Sequence, residues 1–227
     1  IAGVIAEPTK SSLPNPNLKY YEKLRKKHVP VLFMNTYYEA LDAPHVSMDD
    51  IMAGKIATQY VIGKGHKRIG GVFKLDDSQG SRRYFGFLEA MNEASLRVTG
   101  NDLLWFDTVD IENEENVRQL AERIRKRLST RTALVLYNDE SAYKLINEFN
   151  KMGLKIPDDI SIVGIDDTVL STNGTVQITS VAYPTEEIAV KAANNLLELI
   201  KNGRFDATYE FSVHIVERDS VKDLTDN

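Results

Sequence analysis

Short β-branched and aromatic runs alternate along this chain with longer segments of helical period. The apolar runs lie at residues 1–6 (IAGVIA), 30–35, 68–73, 103–106, 133–137, 160–165, 179–181 and 211–217. Each is short, and most are bounded by Gly, Pro, Asn or Asp, which is how buried strands read. Helical spacing predicts helices over 18–27, from 49 or 50 to 64, and over 81–94, 114–128, 140–152 and 185–201. The clearest is 114–128, where Val117, Leu120, Ile124 and Leu128 share one face. Asp49 or Asp50 caps the second helix, and Gly65, Gly153 and Gly203 stop three of them. Such alternation predicts an α/β fold with parallel sheets flanked by helices. Residues 222–227 read as a polar, frayed tail.

Composition narrows the function classes. The 227 residues are 42% hydrophobic and 27% charged, the balance of an ordinary globular protein with room for a large core. A net charge of −5 argues against broad phosphate contact by these residues, and leaves a separate basic domain open. The absence of cysteine excludes disulfide frameworks, thiolate metal sites and Cys nucleophiles. No apolar run approaches the ~18 residues of a membrane span, so no membrane partner is expected. No basic-then-apolar leader opens the chain. It opens in mid-strand, and so reads as part of something longer.

Several motifs have a bland explanation. The glycines of 63–71 follow a helix and enter a strand, the reverse of a dinucleotide loop, so Gly65 is a helix stop. His28, His45, His66 and His214 never pair at the i, i+4 spacing of a helical metal site. There is no G-x-S-x-G elbow, no supported Ser/His/Asp arrangement and no phosphate loop. Neither an enzyme, a metal nor a cofactor is therefore expected. Asp158-Asp159 follows Pro157 and suits a turn. At Asp76-Asp77 and Asp166-Asp167, which follow strands, a ligand role and turn chemistry both stand. Asn138 ends a strand with a donor and an acceptor that suit a hydroxyl. Glu7 ends the first strand in the same way. Arg83, near the start of a helix, sets a cation against the macrodipole and offers a planar fork for vicinal hydroxyls. Tyr183 suits either stacking on a sugar or packing; Trp105 and Phe106 suit the core.

The stretch Ile156 to Asp167 (IPDDISIVGIDD) places two acids at the end of a buried strand, where open α/β sheets bind ligands. It resembles the "vPdDisvvGfDd" segment of the LacI/GalR family of sugar-responsive repressors. Other collinear motifs agree. Ala2-Gly3-Val4-Ile5 is similar to "DGiI", with Ala2 where Asp is usual. Gly65-His66-Lys67-Arg68-Ile69-Gly70 is similar to "GHrrIg", Arg83-x-x-Gly86-Phe87 to "R..Gf", Asn138-Asp139 with Ala142 to "nD..A", and Arg218-Asp219-Ser220 to the terminal "RdS".

The resemblance implies a two-lobed, periplasmic-binding-protein-like fold with ligand in the cleft, here N-terminally truncated by two βα units. It assigns 1–64 to the first lobe, 65–182 to the second, 185–211 to the first again, and 212–227 to a terminal strand of the second and a tail. Its ligand contacts fall on Arg83, Asn138 and Asp166, and at more variable positions on Glu7, Asp77, Gln79 and Tyr183. Arg218-Asp219-Ser220 is expected to be structural. It further implies a cytoplasmic homodimer that reaches operator DNA through a domain absent from this chain. The loop 7–11 and the following Asn15-Pro16-Asn17 look like the family's arabinose-sensing members, which carry a GntR-type DNA-binding domain. A periplasmic sugar receptor of a transporter is the alternative reading.

Overall fold

The structure is a computed structural model and describes residues 1–203 and 205–225. The chain divides into two compact units. The first comprises 1–49, 76–78 and 184–212; the second comprises 50–75, 79–183 and the described part of 213–227.

The first unit is built on a four-stranded sheet of β1 (Val4–Ala6), β2 (Val31–Met34), β3 (His45–Met48) and β9 (Tyr209–Phe211), in that order. All its pairings are parallel. The helix α1 (Leu18–Lys26) sets Leu18, Tyr21 and Leu24 against Val31 and Phe33. The helix α6 (Thr185–Asn202) packs along β1, β2 and β3.

The second unit holds β4 (Ile69–Lys74), β5 (Leu103–Phe106), β6 (Ala133–Leu136), β7 (Ser161–Asp166), β8 (Thr179–Ala182) and β10 (Ile215–Val216). Their order is β10-β8-β7-β6-β4-β5, all parallel except β10 against β8. Both β6 and β7 are buried along almost their whole length. That is why their sequences are continuous apolar runs without alternation. Helices α4 (Glu114–Arg127) and α5 (Asp139–Lys151) close one core with Leu120, Ile124, Leu145 and Phe149. The helix α2 (Asp50–Gly63) packs on β6, β7, β8 and β10. The helix α3 (Ser78–Glu93) brings Phe87 onto Phe73, with ring centroids 5.7 Å apart.

Five expectations change. Residues 45–48 form a strand, whose alternation of His45, Val46, Ser47 and Met48 is too short to announce it. The run 211–217 spans the end of β9 and all of β10, because the chain leaves the first sheet after Phe211 and joins the second at Ile215. The helix expected at 81 begins at Ser78, which moves Arg83 past the first turn, so the conflict with the macrodipole does not arise. The tail expected to fray is tied as far as Leu224, whose N–H donates to the Lys64 carbonyl at 2.8 Å. Residues 226 and 227 lie outside the described residues. The first-lobe boundary expected at 64 also falls a helix later than the division after Asp49, since α2 packs on the second sheet and against α3.

Glycines set how closely α2 and α3 approach. A Cβ at Gly54 would lie 1.9 Å from the Arg83 carbonyl oxygen, and one at Gly86 would lie 1.9 Å from that of Ile51. Both obstacles are backbone, so nothing can swing aside. Gly86→Ala is expected to destabilise the protein by about 1–3 kcal/mol through overpacking. Gly63→Ala, at an open helical position with nothing within 4 Å, is expected to be neutral or mildly stabilising. Urea unfolding of the two variants checks the contrast.

Candidate functional site

Strand order locates the place where a ligand is best received. The chain leaves β4 for β5 on one side and returns to β6 on the other. The carboxyl ends of β4 and β6 therefore border a topological switch point, where doubly wound sheets open a crevice. Arg83, on the helix that follows β4, bonds the end of β6 beside this point.

Its guanidinium is spent on protein acceptors. Nε donates to Asp50 Oδ1 at 2.8 Å, Nη1 to the Tyr137 carbonyl at the end of β6 at 2.6 Å, and Nη2 to Asp166 Oδ1 at 2.9 Å. The Tyr137 ring lies 4.8 Å from the guanidinium carbon, within cation–π range. Side-chain exposure is 1% for Arg83 and 2% for Asp50, but 22% for Asp166. Asp166 is thus the carboxylate of this trio that solvent, or a solute, can reach. Burial opposes the Arg83 charge, but Asp166 and Asp50 outweigh it and hold its pKa above the ordinary value. Burial pushes Asp50 up to about 6, against the pull of Arg83.

Asn138 and Asp139 directly follow Tyr137, whose carbonyl Arg83 holds. Asn138 caps α5: its Oδ1 accepts from Ser141 N–H at 2.9 Å, and Ser141 Oγ accepts from the Asn138 N–H in return. The acceptor side of the amide serves the cap, which leaves Nδ2 to act as a donor. Asp139 is fully buried. Its Oδ1 accepts from the Ser180 hydroxyl at 2.6 Å and its Oδ2 from Thr168 N–H at 2.7 Å. Burial pushes its pKa up to about 7, with the Asp166 and Asp167 charges adding to the rise and the two hydrogen bonds opposing it. Asp167 pairs with Arg218 at 2.6 Å, and Ser220 bonds Thr179 N–H and the Ile162 carbonyl. The terminal Arg-Asp-Ser segment therefore braces the second sheet.

The sequence-predicted residues divide between the units. In the second, Arg83 and Asp166 are bonded directly, and Gln79 lies 3.4 Å from both oxygens of Asp50. Tyr183, one residue past β8, is half-buried. In the first, Glu7 is exposed and accepts from Asn35 Nδ2 at 2.7 Å. Asp77 is buried and accepts from the Ser11 hydroxyl at 2.8 Å, within a cluster that also holds Ser78 and Thr36. The sequence reading missed the roles of Asp50, Asp139 and Ser180. Asp50 reads locally as a cap, and its ion pair is invisible because Arg83 lies 33 residues away. Ser180 carries a signal in hindsight, since it is a polar residue inside an otherwise buried strand. Among the described residues no cluster of His, Asp and Glu could hold a metal ion, and no helix is long and apolar enough to cross a membrane.

A sequence profile described as a periplasmic binding protein-like domain matches residues 58–221. The chain belongs to that family. Its sequence is 36% identical over 228 residues to the arabinose metabolism transcriptional repressor of Geobacillus stearothermophilus, covering 99% of this chain and 62% of the relative. It is 34% identical over 214 residues to the protein of the same name from Halalkalibacterium halodurans, covering 94% of this chain and 57% of the relative. The chain thus spans about three fifths of the length of these curated relatives. A transcription regulator from Lactobacillus plantarum superposes with a TM-score of 0.84 at 25% identity, over 99% of this chain and 82% of that one. The likeness to LacI/GalR-type effector domains read from the motifs is borne out, as is the fold class.

The raised Asp139 carboxyl makes a signed prediction. A native pKa above the unfolded value of about 3.9 contributes stability that is full below that value and lost as pH rises through about 7. Asp139→Asn removes this titration. The stability of the natural protein minus that of the variant is expected to grow as pH falls from 7 toward 4. Urea unfolding across that range measures the difference, and a flat one would contradict the assignment.

Proposed function

We propose that this chain is the sugar-sensing effector domain of a transcriptional repressor, with L-arabinose as its effector. The observation that carries the reading is Asp166, a partly exposed carboxylate fixed by a buried arginine at the carboxyl end of β7. Similarity to two repressors named for arabinose metabolism supports the choice of sugar.

The chemistry favours a neutral polyol. Asp166 accepts from sugar hydroxyls, and Asn138 donates through Nδ2. Arg83 holds Asp166 in place. Two carboxylates against one guanidinium leave the trio net negative, which disfavours a phosphorylated sugar through like-charge repulsion. Gln79 and Tyr183 complete this proposed set in the second unit.

Binding shifts the repressor only by the difference in the sugar's affinity for its two states. Near-complete switching needs about 5.5 kcal/mol. A charge-assisted hydrogen bond contributes about 1.5–3 kcal/mol, so two made in one state alone come close. In the whole protein the readout is loss of operator affinity. It is carried by a GntR-type DNA-binding domain in a homodimer whose half-site spacing must match the DNA.

Calorimetric titration with L-arabinose, D-galactose, D-ribose and a sugar phosphate tests the reading. Saturable binding to arabinose alone is expected. Asp166→Asn is expected to weaken it by about tenfold or more, the loss of one charged hydrogen bond. Binding of the sugar phosphate in preference to arabinose would overturn the effector assignment, and unchanged affinity in the variant would overturn the site.

A further inference from the structure

We propose that Asp139, acting with Ser180, is a positioning residue that sets the backbone turn at residues 166–168 and so aims the Asp166 carboxylate. This deepens the reading of Asp166 as a sugar contact and rests on it.

The turn needs something to hold it. Asp166 has φ +106° and Asp167 φ +46°, successive left-handed conformations in residues with side chains. Such geometry persists only where the surroundings over-determine it. Here each residue of the turn is held separately. The Asp166 carboxylate takes the Arg83 bond. Asp167 N–H donates to Ser180 Oγ at 3.1 Å, and the Asp167 carboxylate takes Arg218. Thr168 N–H donates to Asp139 Oδ2 at 2.7 Å. Ser180 in turn donates its hydroxyl hydrogen to Asp139 Oδ1 at 2.6 Å. One carboxylate therefore holds two consecutive peptide N–H groups, one directly and one through a serine.

Helix capping does not account for Asp139. It is the first residue of α5, where a carboxylate usually serves its own helix. Asn138 makes that cap, and the bonds of Asp139 go to residues 168 and 180 instead. The strand that carries Asp166 also leaves room for it. A Cβ at Gly164 would lie 2.3 Å from Asp139 Oδ1, so glycine there makes space for the carboxylate. Being fully buried, Asp139 acts on a ligand through the turn.

The test uses Ser180→Ala, Ser180→Thr and Asp139→Asn, each read two ways. Amide hydrogen exchange in the sugar-free protein reports the turn without reference to any ligand. The Asp167 and Thr168 amides are expected to exchange about tenfold faster or more in Ser180→Ala and Asp139→Asn, while those of β4 and β6 keep their rates. Ser180→Thr, which keeps the hydroxyl, is expected to restore slow exchange. Titration with L-arabinose is the second readout, with about tenfold weaker binding expected in Ser180→Ala and Asp139→Asn and recovery in Ser180→Thr. Exchange that stays slow at 167 and 168, or that rises equally throughout the sheet, overturns the proposal. So does faster local exchange with unchanged arabinose affinity. If the natural protein binds no arabinose while the exchange result holds, the effector assignment fails and the role of Asp139 in the turn stands. Because Asp139→Asn alters a buried carboxyl, Ser180→Ala keeps the test decisive if Asp139→Asn does not fold.

Discussion

The arrangement of the second unit turns on one buried cation. Arg83 lies between Asp50 at the start of α2, the carbonyl that ends β6, and Asp166 at the end of β7. A buried guanidinium without partners would be costly, and even a well-made buried ion pair adds little net stability over apolar packing. What such a network supplies is a fixed geometry, because each charge is tolerated only where its partners stand. The close approach of α2 and α3 is part of the same constraint. Gly54 abuts the Arg83 carbonyl, and Gly86 abuts the carbonyl of Ile51, next to Asp50. The backbones must come this near for the two side chains to pair. A change that forced the helices apart would strand a charge as well as open a gap.

This arrangement shapes the proposed chemistry of binding. Preorganisation lowers the entropy lost when a ligand binds, and Asp166 is held before any ligand arrives. The amide of Asn138 is likewise fixed by its cap, so the direction of its remaining donor is set by the helix it starts. Polar groups with so little freedom discriminate by position more than by strength. A hydroxyl of the wrong configuration would leave a desolvated carboxylate unmatched, and that penalty is steeper than the gain from a correct bond.

Much of this was legible in the sequence, and what was not has physical causes. Strands such as 133–136 and 161–166 announce themselves because burial on both faces demands unbroken apolar runs. The strand His45–Met48 does not, because its polar and apolar residues alternate over only four positions, too short a run to stand out, and burial takes in Ser47 as well. The run 211–217 joins the end of β9 to β10 in the sequence because period and composition carry no information about which sheet a residue joins. Motif resemblance led to Arg83, Asn138 and Asp166, but it did not say what their atoms do. The donor fork of Arg83 reads as available for a ligand, whereas three of its hydrogens are committed to residues 33, 54 and 83 positions away. Non-local pairing of this kind is what a single sequence conceals. The doublet Asp49-Asp50 looks like a cap for the same reason, since only the fold brings Asp50 to its arginine.

The turn after β7 shows why these positions are aspartate when their backbone asks for glycine. Glycine adopts positive φ without strain, and residues 166 and 167 both have positive φ. A side chain held in such a region costs on the order of 1–3 kcal/mol per residue. Glycine would relieve that strain and remove both carboxylates. Without Asp166, Arg83 would keep Asp50 and a carbonyl, and the partly exposed anion would be gone. Without Asp167, the Arg218 guanidinium would lose its ion pair. Backbone strain and side-chain chemistry therefore pull in opposite directions here, and the chemistry has prevailed at both positions. A strained pair of acids, held by two arginines and a buried carboxylate, is hard to explain as turn chemistry alone, because an unstrained turn was available to the chain at those two positions. It is easier to explain if the direction of the Asp166 carboxylate is what the protein has to keep.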